Sequence, residues 1–328
     1  MYVGTQYFGT SKMEMEFLVR HGVVHFDATV DGYDVASLTR HREQAAEYGV
    51  ELEMVHIPFQ ESIGLATAER DRAIDRVCEW IGNAAQAGLR GLNYNFCILK
   101  ADDVGGLVPR TARRPGRGGS TYSSFVLADY DNDKRYAAGE VTREQAFERA
   151  AYFLERVIPV AEEHRIQMAC HLNDPPAPVL NGVERWDWPV FEGLQRFSKL
   201  VDSPYHGFNF CCGVAAEGLE DPATELPPIV RYFAEHKKLF NVHFRNIRGG
   251  LHDFAETWPD EGDVNMYELA RVLHAAGYEY MLMPDHAPEH PDDVAPEGVS
   301  NRVKQAFAFE YGYIIALIQA VENEAMHR

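Results

Sequence analysis

Phe240-Asn241-Val242-His243-Phe244-Arg245-Asn246-Ile247-Arg248 runs from apolar residues into a point where a histidine and an arginine stand together. A core strand that ends in such residues is how a barrel enzyme delivers chemistry to its mouth. Three other stretches end alike: Met168-Ala169-Cys170-His171, Phe208-Asn209-Phe210-Cys211-Cys212-Gly213 and Tyr280-Met281-Leu282-Met283-Pro284-Asp285-His286. Their ends offer His171, Cys211, His243 and Asp285 as one candidate metal site, because imidazole, thiolate and carboxylate can deprotonate together around a cation. Cys211 and Cys212 would point to opposite faces of a strand, so only one of the two can face inward.

Outward from these strands the chain alternates. An aromatic and β-branched run over residues 1–8 is followed by Ser11-Lys12-Met13-Glu14, a Ser-x-x-Glu box that satisfies the first amides of a helix. Strands are expected at 22–29, 51–57 and 89–96, with helices at 34–48 and 66–87 closed by Gly49 and Gly88. The second of these helices places Ile74, Val77, Cys78, Ile81, Ala84 and Ala85 on one face. Thr142-Arg143-Glu144-Gln145 opens a further helix, striped by Phe147, Ala151, Leu154, Val157, Ile158 and Ala161, which Pro159 should kink. Strands at 166–170, up to 211, at 239–244 and at 280–283 complete the series, with helices expected near 188–200, 229–236, from Asn265 to Gly277, and 300–321. Eight strands alternating with helices predict an α/β fold, a single (β/α)8 TIM barrel spanning 1–328.

One segment breaks the period. Residues 98–138 carry Arg110, Arg113, Arg114 and Arg117 among Gly105, Gly106, Gly116, Gly118 and Gly119, too long for an ordinary connection. It reads as a long loop after strand four, either a lid over the active site or a solvated basic loop.

Bulk properties narrow the function. The formal charge of −19 over 328 residues argues against a nucleic-acid partner. It also means that an anionic substrate must be held by local Arg, Lys or metal charge. Met1-Tyr2-Val3-Gly4-Thr5 has no signal-peptide character and no run is long and apolar enough for a membrane, so a cytoplasmic protein without membrane partners is expected. Cysteines at 78, 97, 170, 211 and 212, with no C-x-x-C, read as reduced thiols. Trp186 and Trp188 read as exposed aromatics and suggest a homodimer.

The chain resembles the mannonate dehydratases, metal-dependent TIM barrels of the xylose-isomerase-like kind. The pieces that match are Tyr94-Asn95-Phe96, Arg110-Thr111, Gly119-Ser120, Cys170-His171 with Asp174-Pro175-Pro176, Gly207-Phe208-Asn209-Phe210-Cys211, Val242-His243-Phe244-Arg245-Asn246, Phe254-Ala255-Glu256, Gly262-Asp263-Val264-Asn265-Met266-Tyr267 and Pro284-Asp285-His286. The resemblance implies a hydro-lyase of carbohydrate metabolism, specifically hexuronate catabolism, that dehydrates D-mannonate to 2-keto-3-deoxy-D-gluconate. It implies His171, Cys211, His243 and Asp285 as metal ligands and selects Cys211 over Cys212. His286, Arg245 and Asp285 become candidates for the chemistry; Asn95, Arg110, Ser120 and Arg245 become candidates for holding the sugar acid, Arg110 from the lid. Ligand softness alone would suggest Zn²⁺, and the resemblance implies Mn²⁺, with Fe²⁺ and Co²⁺ chemically similar.

Two departures stand out. Val108-Pro109 precedes Arg110-Thr111 where the family pattern has an aromatic residue, and Val299 stands near the place of a tyrosine that follows Asp-His. Arg245 could alternatively pair with Glu256 or Asp263 at the rim, and His286 could serve only to orient its neighbour. The competing activity is a metal-dependent sugar isomerase or epimerase on the same barrel, whose sites are richer in carboxylates. A barrel endonuclease is disfavoured by the acidic balance, and a non-enzymatic metal-binding scaffold is the third alternative.

Overall fold

The four stretches that end in candidate ligands are neighbours in one sheet. A computed structural model describes residues 1–58, 60–99, 110–251, 253–294 and 296–327. In it Gln167–His171, His206–Cys211, Leu239–His243 and Met281–Met283 pair in that order, every pair parallel. Beyond Gln167–His171 the sheet continues through Gly91–Asn95, Glu51–His56 and His25–Ala28. The first strand closes it in two pieces: Tyr2–Val3 pairs with Met281–Met283, and Thr5–Phe8 pairs with His25–Ala28. Between the pieces lies Gly4, where a Cβ would sit 2.5 Å from Met281 Sδ, so the seam needs the missing side chain. The described residues thus form the expected (β/α) barrel, its first stave jointed.

Helices form where the caps placed them. Ser11 with Glu14 and Thr142 with Gln145 make complete capping boxes, and Asn265 accepts from Glu268 N. Gly49, Gly88 and Gly277, the expected helix stops, all take positive φ. On Arg70–Gln86 the buried side chains include Ile74, Val77, Ile81 and Ala84, which face the barrel. Arg143–His164 is one helix that runs through Pro159, the expected place of a kink. Pro222–Glu235 begins earlier than its periodicity suggests, because Pro222 occupies the first turn and Pro227 and Pro228 obscure the pattern. Gln305–Met326 begins later than expected, and Cys212–Glu217 is a short helix with no counterpart in the sequence reading.

The segment 98–138 is corrected in part. Residues 100–109, with Gly105, Gly106, Val108 and Pro109, lie outside the described residues. The remainder is not a loop throughout: Ala112–Pro115 and Thr121–Val126 join Asp253–Glu256 and Ile247–Gly250 in a four-stranded antiparallel sheet. Segments following the fourth and seventh barrel strands are thereby locked together, and Arg113, Arg114 and Arg117 are spent on Glu289, Asp253 and Asp260.

Trp186 is a second correction. It is buried, stacked on Phe197 at 4.1 Å, and its Nε1 donates to Phe96 O at 3.0 Å. Trp188 is half-buried. The argument for a dimer from exposed tryptophans therefore falls. Among the described residues no helix is long and apolar enough to cross a membrane.

Candidate metal centre

At the tips of the last four strands, one ligand-type atom each from His171, Cys211, His243 and Asp285 falls within 4.8 Å of the others. Register explains the convergence: Asn209 sits beside His171 and Cys211 beside His243, so the tips stagger by one side-chain repeat around the tilted barrel. Cys211 ends its strand and at once caps Cys212–Glu217, its Sγ accepting from Val214 N at 3.3 Å. That turn sends Cys212 away from the cluster and leaves Cys211 Sγ 3.5 Å from Asp285 Oδ2.

The donor chemistry fits a cation. His171 Nδ1 lies 2.6 Å from Leu172 O, and a carbonyl only accepts, so this nitrogen carries the ring proton and Nε2 turns a lone pair inward. That lone pair faces His243 Nδ1 at 3.2 Å, which is itself 3.3 Å from Asp285 Oδ1. Burial pushes the His243 imidazole down to about 4, against the pull of Asp285, so the ring is neutral as a ligand must be. Burial pushes the Cys211 thiol well up, a cost that a bound cation would reverse. Burial alone would raise Asp285, but His286, His243 and Arg245 hold it well below the usual carboxylate range. Gln6 Nε2 donates to Asp285 Oδ1 at 2.9 Å and orients it. Among the described residues, buried His243 Nε2 has no hydrogen-bond partner.

Beside this cluster lies a web of charge. Asp174, Glu256 and His286 also come within 4.8 Å of one another, but arginines already hold the two carboxylates. Arg245 Nη2 reaches Asp174 Oδ2 at 3.1 Å and Glu217 Oε1 at 2.9 Å, and Nη1 bonds Glu256. Arg110 forks onto Asp174 at 2.7 and 3.1 Å and onto Glu256 at 2.5 Å. Burial, then the charge of Asp174, pushes Glu217 well above the usual range, so it is protonated; two arginines then face two carboxylates. Gly213 leaves room for Arg245, whose guanidinium a Cβ there would strike. His286 Nδ1 is 2.7 Å from Glu256 Oε1 and 3.0 Å from Arg245 Nη1. An ionised carboxylate only accepts, so His286 Nδ1–H donates to Glu256 and Nε2 is left for the cleft.

Of the sequence-derived candidates, Asn95, His171, His243, Asp285 and His286 line one cleft; Arg110, Glu256, Asp285 and His286 line its wider neighbour of about 770 Å³. Ser120 lies elsewhere, donating to Arg117 O and accepting from Trp258 Nε1, in a pocket with Trp258 and Phe309. Residues at the cluster or its cleft that escaped the sequence reading include Gln6, Tyr7, His56, Arg185, Glu217 and Arg302. His56 closes the third strand, so strand-end position alone could have flagged it. Glu217 depends on the unforeseen helix.

The D-mannonate dehydratase (UxuA) family model matches residues 130–328, more than half of the chain. The mannonate dehydratase of Enterococcus faecalis is 39% identical over 304 residues, covering 82% of each chain. That of Thermotoga petrophila is 29% identical over 303 residues, covering 80% of each. Among solved structures, the mannonate dehydratase of Streptococcus suis serotype 2 superposes with a TM-score of 0.83 at 23% identity, covering 99% of this chain and 96% of that one. A D-tagatose 3-epimerase-like protein gives a TM-score of 0.60 at 16% identity, covering 99% and 100%, a likeness of fold alone.

Proposed function

The chain belongs to the D-mannonate dehydratase family, and from that membership we propose that it removes water from D-mannonate to give 2-keto-3-deoxy-D-gluconate. The observation that carries the reading to the residues is the meeting of His171, Cys211, His243 and Asp285 within 4.8 Å at the mouth. These four would hold the cation, with Mn²⁺ proposed and Zn²⁺, Fe²⁺ and Co²⁺ as alternatives in a metal screen. When bound, a divalent ion there supplies electrostatic stabilisation of the negative charge that develops beside the substrate carboxylate.

The protein groups do the rest. His286, fixed through Nδ1 by Glu256, presents Nε2 to the cleft and is proposed to move a proton at the substrate. Arg245, buried among Asp174, Glu217, Glu256 and Asp285, acts on His286 and Asp285 through their position and charge rather than as an open anion clamp. Arg110 borders the wider cleft and is the proposed contact for the acid, with Asn95 and the buried Arg185 on the other side. Incubating the Mn²⁺-loaded protein with D-mannonate and trapping 2-keto acid with semicarbazide tests the activity. Absence of product with every metal in the screen would refute it.

A further inference from the structure

The first strand does something irregular where it reaches the mouth. Tyr7 has φ of 59°, the left-handed region that a bulky aromatic residue rarely enters, and the pairing with His25–Ala28 shifts register between Thr5 and Phe8. In a regular strand Gln6 and Tyr7 would face opposite sides of the sheet. Here Gln6 reaches Asp285 and Tyr7 lines the same cleft as His171, His243, Asp285 and His286. A distortion that brings two successive side chains to one mouth is the use to which strand irregularities beside active sites are put.

The phenol is also held. Its hydroxyl is 3.4 Å from His56 Nδ1, and His56 Nε2 is 2.8 Å from Asn95 Oδ1. The carbonyl oxygen of Asn95 can only accept, so Nε2 carries the proton and bare Nδ1 receives the Tyr7 hydroxyl. The Arg302 guanidinium lies 5.1 Å from the ring centroid, and Ser300 Oγ donates to Tyr7 O at 2.8 Å. Yet 37% of Tyr7 stays exposed, so the group is anchored without being sealed off. Burial of the hydroxyl raises its pKa, and burial lowers His56 to about 4, so the proton rests on the phenol through the working range. In this cleft His286, on Glu256, and Tyr7, on His56, each carry a proton beside a second ionisable side chain, whereas Asp174 is held by Arg110 and Arg245.

We propose that Tyr7 is a catalytic residue of this site, the acid that protonates the departing 3-hydroxyl of the sugar acid, with His56 as its positioning residue. The proposal rests on the dehydratase reading. A base takes the C2 proton and the C2–H electrons move into the substrate carboxylate as an enediolate; in a second step they return to form the C2–C3 double bond as the C3–O bond breaks toward oxygen. The leaving hydroxyl takes the Tyr7 proton and departs as water. As the enol becomes the ketone, C3 receives the proton held by the base and the C2 hydroxyl returns one to the phenolate, so both groups are reset.

Tyr7→Phe keeps the ring and removes the acid. With D-mannonate and Mn²⁺ in heavy water, the expected result is a fall in kcat for water loss of about 10²–10⁴-fold. KM should stay within about threefold, bound metal should be unchanged, and deuterium should still enter at C2, because that step does not need the acid. Water loss within about threefold of wild type overturns the proposal and leaves the dehydratase reading intact. So does a parallel loss of C2 exchange, which is the mark of a structural role. A wild-type protein that dehydrates no D-mannonate under any metal overturns both.

Discussion

Arg245 is buried with four acidic side chains around it, and removing it leaves Asp174 with Arg110 alone and Glu256 with Arg110 and His286. Breaking a buried pair on one side costs about 3–5 kcal/mol. Arg245→Met should therefore lower the unfolding free energy by that order in urea titrations, whereas Lys12→Met, which loses only the exposed Lys12–Glu16 pair, should change it by less than about 1 kcal/mol. Equal effects would mean that water reaches the web. At the ligands, His243→Ala and Cys211→Ala should each lose most bound metal with unchanged circular dichroism, and Cys212→Ala should keep it. Metal retained in the first two would refute the assignment. Sequence periodicity could reduce Cys211 and Cys212 to one inward residue but not say which; the choice is made by the helix beginning at Cys212, a six-residue element too short to leave a period.

Elements with local signals were legible. The capping boxes at Ser11 and Thr142, the glycine stops and the apolar strand runs all depend on residues within a few positions of one another, and the structure has them where the sequence places them. The antiparallel sheet was not legible, because Ala112–Pro115 reads Ala-Arg-Arg-Pro and Thr121–Val126 finds its partner in Asp253–Glu256, far along the chain. Jointing of the first strand was equally hidden. Within the barrel, His25–Ala28 carries Asp27, fully buried, accepting from Asn93 with Oδ1 unpartnered. Burial pushes its carboxyl up to about 7, against the Asn93 hydrogen bond. The folded chain thus holds a proton there that the unfolded chain releases near its ordinary pKa of about 4. Stability from this group is full at low pH and is lost as pH rises toward about 7. Asp27→Asn, neutral throughout, should gain about 4 kcal/mol over wild type at about pH 8 and less than half of that at about pH 5. Equal gains at both would show that Asp27 does not titrate in this window.

For the molecule as a whole, the barrel class and the meeting of His171, Cys211, His243 and Asp285 followed from one regularity, strands that end in chemistry. Tyr7, Arg185 and Glu217 did not follow, because their place at the mouth depends on a bulge, a buried turn and a short helix. Charge has a similar division of scale. The chain carries −19 overall, yet along the wide cleft Arg110, Arg113, Arg302 and Lys304 outnumber Glu256, Asp285 and Glu289. These cations act within a Debye length of about 10 Å, which the distant negative surface does not match. Raising ionic strength should accordingly weaken sugar-acid binding, seen as a higher KM. A KM that falls with salt would give the overall field the larger part.

The jointed stave also bears on how the protein is made. Tyr2 pairs with Met281 and Val3 with Leu282, so the first stave must wait until the eighth has followed it out of the ribosome. A nascent chain halted before the eighth strand is an unlatched sheet with two bare edges, open to pairing with other chains. Arrested chains should therefore yield to protease along their length, and resistance should arrive abruptly once the final stave has emerged and the latch can engage.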